Sequence, residues 1–178
     1  MKLKEFDIEL SKLRSGPNRY EYSLGLPFFE SFSNQSVREA LLQVNVELDK
    51  SEALINVFIH IQGNLTLDCE TCLSIYPQPI QTAGALVVKI TDEPAETEDD
   101  DMIYLSRNDF VFNIGQHLYD YVMLALPLVR NCGDPGNRDM CDKETLQKLE
   151  ELSPGHTQDS EPEGDERWNK LKDLFSNN

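Results

Sequence analysis

LTLDCETCLSIYPQP, residues 65–79, places apolar residues at alternate positions, Leu65, Leu67 and Cys69, and runs straight into a C-x-x-C pair before Pro77-Gln78-Pro79. Alternation of period two predicts a strand with one buried face, and a Pro-x-Pro predicts the end of regular structure. Two thiols three residues apart can grip one tetrahedral ion, because the short turn between them lets both sulfurs point inward. The other two of the four cysteines, Cys132 and Cys141, follow the one long apolar helical pattern. The middle of the chain is therefore whatever brings two thiol pairs together.

Working outward, Val44, Val46 and Leu48 share one face of a predicted strand, and Ile55, Val57, Ile59 and Ile61 share a face of the next. Asp49-Lys50-Ser51-Glu52 and Gly63-Asn64 supply the breaks. Beyond the C-x-x-C, the stretch Ala83 to Thr91 carries Leu86, Val88 and Ile90 on one side and brings the chain back, so these strands read as an antiparallel β-meander. Toward the N-terminus, Phe6, Ile8 and Leu10, then Tyr20, Tyr22, Leu24 and Leu26, alternate on either side of Gly16-Pro17-Asn18, which predicts a hairpin; Ser11 to Arg14 also suits a helical turn. Met102 to Leu105 suits a short strand. Asn113 is a good N-cap with Gln116 three residues on, as in a capping box. Ile114, Leu118, Tyr121, Val122 and Ala125 then fall at helical spacing until Pro127 ends the run. Laying that one main helix, 114–126, on the meander gives an α+β two-layer fold.

The chain has 178 residues and a net charge of -16. The charge is concentrated: 92–101 (DEPAETEDDD) holds seven acids and no base, and 142–167 holds nine acids against Lys143, Lys148 and Arg167. The remainder is close to neutral. Dense like charge with little apolar surface cannot pack, so 92–101 reads as a solvated acidic loop. The organisation expected is one α+β domain over 1–150 that includes this loop, a flexible acidic linker over 151–166, and a short C-terminal helix over 167–178. KETLQKLEEL, 143–152, suits a short helix at the end of the domain. In the closing helix Trp168, Leu171, Leu174 and Phe175 share a face suited to docking on the domain or on a partner. No stretch approaches the roughly 18 consecutive apolar residues of a membrane span, and MKLKEFDIEL lacks the apolar core of a signal peptide. The expectation is a cytoplasmic, reducing compartment, where cysteines point to metal or free thiols rather than disulfides.

Cys69, Cys72, Cys132 and Cys141 are the one concentrated set of soft ligands. The first pair has zinc spacing, whereas the second is C-x8-C, wider than the usual two to four intervening residues. The spacing thus admits a structural zinc or four small buried thiols without metal. A thioredoxin-like redox site needs the C-x-x-C at a helix N-terminus, where the dipole lowers a thiol's pKa, and Leu73 to Pro79 offers no helix. His60, His117 and His156 are scattered; His117 and Asp120 stand three apart on the predicted helix and read as an ordinary surface pair. No nucleophile-base arrangement and no Gly-rich phosphate loop is present, which points away from an enzyme. Lys89, Arg107, Arg130 and Arg138 are candidates for a local basic face toward RNA, or are ordinary solvated charges. The acidic segments suit contact with basic proteins.

Three pieces stand in order: DCETCL at 68–73, LALPLVRNC at 124–132 and DERWNKLKDLF at 165–175. Together they resemble the YceD family, the bacterial large ribosomal RNA subunit accumulation proteins, over nearly the whole chain. The resemblance implies a role in accumulation of large-subunit rRNA, hence in large-subunit biogenesis, with no known catalytic activity. It also implies that Cys69, Cys72, Cys132 and Cys141 are the candidate metal ligands, and with the zinc spacing of the first pair the expectation is a structural zinc cofactor in a zinc-knuckle-like cluster. The function expected is a non-enzymatic factor that binds large-subunit RNA or a ribosome-assembly protein. The competing expectation is a protein-interaction adaptor whose acidic segments engage a basic partner; a thiol oxidoreductase stands third.

Overall fold

In the computed structural model, which describes residues 3–91, 102–132 and 140–153, the alternating segments become long strands. Two compact units are present, Met1–Cys141 and Asp142–Asn178. The first contains a two-stranded sheet, β1 (Asp7–Glu9) against β7 (Val111–Asn113), and a five-stranded sheet. The larger sheet runs in the order β2 (Gly16–Leu24), β3 (Val37–Lys50), β4 (Leu54–Asp68), β5 (Ile75–Thr91) and β6 (Met102–Ser106). β2 to β5 form an antiparallel meander, and β6 joins the far side of β5 in parallel.

Alternation decides which face is buried. Val44, Val46 and Leu48 of β3, Ile55, Val57, Ile59 and Ile61 of β4, and Leu86 and Val88 of β5 are all buried. Each such side chain contributes about 1.5–3 kcal/mol by leaving water. Over this face lie two helices, α1 (Leu26–Ser31) and α2 (Gly115–Leu124). Ile114, Leu118 and Val122 form the buried stripe of the second, as its spacing predicted. A cluster of rings fastens the helices to the sheet: Phe6 lies 5.3 Å from Tyr22 and 5.1 Å from Phe28, and Phe32 stacks on Tyr119 at 4.4 Å. The opposite face of the sheet is exposed.

The break expected at Gly63-Asn64 is absent, because β4 runs from Leu54 through both residues to Asp68, and four further expectations change. The N-terminal alternation does not make a hairpin: Ile8 pairs with Phe112, and β2 pairs with β3. A period of two names a buried face but not the partner strand. Second, Pro77 and Pro79 do not end regular structure, because β5 begins at Ile75 and runs through both. They stand two apart, so both missing donors fall on one side of the strand. Since β6 pairs only with Val87–Thr91, the side of β5 away from β4 carries no strand over Ile75 to Leu86 among the described residues, and an edge tolerates proline. Third, the capping box does not form. The Asn113 side chain accepts from the Gly115 N–H at 3.1 Å, but the Gln116 amide donates to Asp120 at 2.9 Å. Fourth, helix α1 was not expected; LPFFES is six residues long, too short for a period to show, and only its proline in the first turn announces it.

The second unit contributes one described helix, α3 (Lys143–Glu151). Its N-cap is made by Asp142, whose carboxylate accepts from the Thr145 N–H at 2.9 Å and its hydroxyl at 2.6 Å. The acidic run 92–101 and the segment 154–178, with its linker and its Trp168, Leu171, Leu174 and Phe175, lie outside the described residues.

Candidate metal centre

Cys69 directly follows Asp68, the last residue of the long β4 strand, and Cys72 lies in the tight turn that leads into β5. Leu73 takes a left-handed φ of 62°, which turns the chain sharply enough for the Cys69 N–H to donate to the Ser74 carbonyl at 2.9 Å and the Leu73 N–H to the Cys69 carbonyl at 3.0 Å. Cys132 follows α2 by way of Pro127, and Cys141 closes the first unit.

Two polar contacts hold the segment after α2 against this turn. Arg130 donates to Glu70 from Nε at 2.8 Å and from its terminal nitrogen at 2.7 Å, while the Glu70 N–H donates to the Arg130 carbonyl at 2.8 Å. The Thr71 hydroxyl donates to Asn131 Oδ1 at 2.8 Å, and Asn131 is buried. The Arg130 hydrogen bonds hold the Glu70 carboxyl below the usual carboxylate range. Sequence reasoning missed these four residues as one device. The signal was there: Glu70-Thr71 stands between one pair of cysteines, and the complementary Arg130-Asn131 stands immediately before Cys132.

All four expected ligands come together. Their sulfurs lie within 4.8 Å of one another, with Cys72 Sγ 3.4 Å from Cys132 Sγ and Cys69 Sγ 3.7 Å from Cys141 Sγ. All four are free thiols, and Cys69, Cys72 and Cys141 are buried. A tetrahedral zinc with Zn–S bonds of about 2.3 Å sets its sulfurs about 3.8 Å apart, so the donor set fits that ion. Burial raises the Cys69 thiol, but the N–H groups of Cys72 and Thr71, at 3.5 and 3.4 Å from its sulfur, outweigh this and bring it below its ordinary value. Burial pushes Cys132 and Cys141 upward, and neighbouring sulfurs push both further. Like charges this close cannot all form unaided, whereas a divalent cation would let four thiolates coexist. There is no helix N-terminus at the C-x-x-C, as the sequence implied.

The candidate basic residues do not form one patch. Lys89 pairs in register with Leu54 at one end of the β4–β5 ladder and lies 5.7 Å from the Tyr104 ring centre. Arg107 is at that same end, its N–H donating to the Thr91 carbonyl at 3.3 Å. Arg130 is at the other end, about 14 residues along β5 or roughly 45 Å of strand, and is occupied by Glu70. Arg138 lies outside the described residues. His117 is half-buried against Phe112, and burial keeps its pKa below the ordinary value. No helix among the described residues is long and apolar enough to cross a membrane.

A family model described as large ribosomal RNA subunit accumulation protein YceD matches residues 57–175, a span that includes all four cysteines. No curated protein and no solved structure matches the chain.

Proposed function

The chain belongs to the YceD family, the large ribosomal RNA subunit accumulation proteins, and from that premise we propose that it is a non-enzymatic factor of large-subunit biogenesis acting in the cytoplasm. The observation that carries this reading is the family match over residues 57–175. In this account the protein promotes accumulation of large-subunit rRNA by binding that RNA or an early assembly protein.

Cys69, Cys72, Cys132 and Cys141 hold one zinc ion, supported by sulfurs that lie within 4.8 Å of one another. A fully thiolate-bound zinc has no open position for substrate, so the ion is structural. It fastens the turn between β4 and β5 to the segment after α2, adding to what Glu70 and Arg130 already hold.

The chain's charge of -16 favours a second reading, a protein adaptor for a basic partner, since phosphate neutralisation supplies much of the affinity in nucleic-acid binding. Gradient sedimentation of the tagged protein separates the two. Co-migration with large-subunit precursors that is lost on mild nuclease treatment indicates RNA binding, and partners retained after nuclease indicate the adaptor. A protein that stays at the top of the gradient under all conditions contradicts both.

A further inference from the structure

The exposed face of the five-stranded sheet carries an open trough of about 510 Å³, lined by side chains of Arg19, Glu21, Asn45, Glu47, Phe58 and His60 with Ala83 beside them. Register explains its shape. Phe58 pairs with Glu47 on one side and Ala85 on the other, and His60 pairs with Asn45 and Ala83. On the β5 side the aromatic and imidazole rings therefore face only methyl groups, which leaves a depression where larger side chains would have covered them. Phe58 is 53% exposed and has no aromatic partner among the described residues. A half-exposed phenylalanine in the middle of a sheet forgoes burial worth about 1 kcal/mol or more.

Charge selects the occupant. Arg19, the one cation in the lining among the described residues, is held by Glu47 at 3.1 Å. Glu21, which pairs in register with Asn45, has no cationic partner among the described residues. The described lining is thus net negative, and no described residue of it offers a phosphate an unpaired cation, whereas an arginine finds a ring face for its planar guanidinium and a carboxylate to pair with. The chain's charge of -16 attracts basic partners from a distance.

We propose that this trough binds an arginine-bearing segment of a basic partner protein. The inference deepens the assembly reading and rests on it for the partner's being a ribosome-assembly protein. The guanidinium stacks on Phe58 and pairs with Glu21, and Asn45 supplies an amide to the bound segment's backbone.

The test is an amide-resolved NMR titration of the full chain with an octa-arginine peptide at physiological salt, repeated on F58A and E21K. Both residues are exposed, so unchanged melting temperatures certify folding. The trough predicts shifts at Glu21, Asn45, Phe58 and His60, and affinity about fivefold weaker in either variant. Shifts confined to 92–101 with equal affinity in all three proteins would overturn it. So would a decauridine RNA that moves the same amides while the peptide does not. In cells, depletion followed by expression of F58A keeps the two levels of the account apart. Full rescue by F58A of an rRNA defect caused by depletion sinks the trough and leaves the assembly role standing. Absence of any defect on depletion removes the assembly role, and the titration then decides the trough alone.

Discussion

Replacing Cys69 by serine is expected to abolish zinc retention and to lower folding stability by about 3 kcal/mol or more. Cys69 is fully buried, and its sulfur lies 3.7 Å from Cys141 Sγ. Structural zinc binds zinc-finger peptides with about 10–16 kcal/mol that is also folding free energy. Loss of one ligand in four therefore removes a large share of that term. Serine is close to cysteine in size and can still accept from the N–H groups of Thr71 and Cys72, so a metal-free cluster would lose little by the exchange. Thermal unfolding of the wild type with and without a strong chelator, beside C69S, separates the alternatives. The metal account predicts that the chelated wild type and C69S unfold at similar, lowered temperatures, and that metal analysis finds about one zinc per untreated chain. A chelator-insensitive wild type with C69S within about 1 kcal/mol of it would mean four buried thiols and no ion.

The second large effect is expected at Gly63. Its φ is +145°, and a Cβ there would stand 2.1 Å from the Leu41 carbonyl oxygen. Gly63 pairs with Leu42 on β3 and Ile80 on β5, so the obstacle is backbone in the centre of the sheet and cannot swing away. Strain at such a backbone conformation costs roughly 1–3 kcal/mol and the overlap a similar amount. Gly63→Val is thus expected to cost about 3 kcal/mol or more, which lowers the melting temperature by roughly 6–12 °C in a chain of this size. By contrast, Gly16, also at positive φ, meets nothing within 4 Å, and G16A should show only its smaller conformational cost. Equal melting temperatures for G63V and the wild type would show that the sheet relaxes where the geometry says it is fixed.

How legible these features were depended on whether the signal was local. Val44 to Leu48 and Ile55 to Ile61 show their buried faces because a period of two survives over many residues, and Ile114, Leu118 and Val122 do the same at helical spacing. The C-x-x-C marks a pair of soft ligands, and Cys132 and Cys141 are candidates beside it despite their wide interval, because the four sulfurs meet through space and not through spacing. What stayed hidden was long-range. Nothing in Phe6 to Leu10 says that Ile8 pairs with Phe112, over a hundred residues away. Pro77 and Pro79 read as a stop only if β5 is assumed to have neighbours on both sides. Arg130 read as a possible RNA contact, but within the fold its guanidinium belongs to Glu70, and the match between the two segments is visible only once the cysteines are known to meet. Phe58 and His60 are the outward half of an alternating strand. It is the small Ala83 and Ala85 opposite them, not their own identity, that makes the exposed face a trough.

The most direct test of the assembly role is the ratio of large- to small-subunit rRNA, measured in gradient-fractionated extracts from cells depleted of this protein. A fall in the ratio that the wild-type chain restores is the predicted result. A ratio unchanged by depletion would contradict the role, and the four cysteines and the sheet would then have to serve some other purpose.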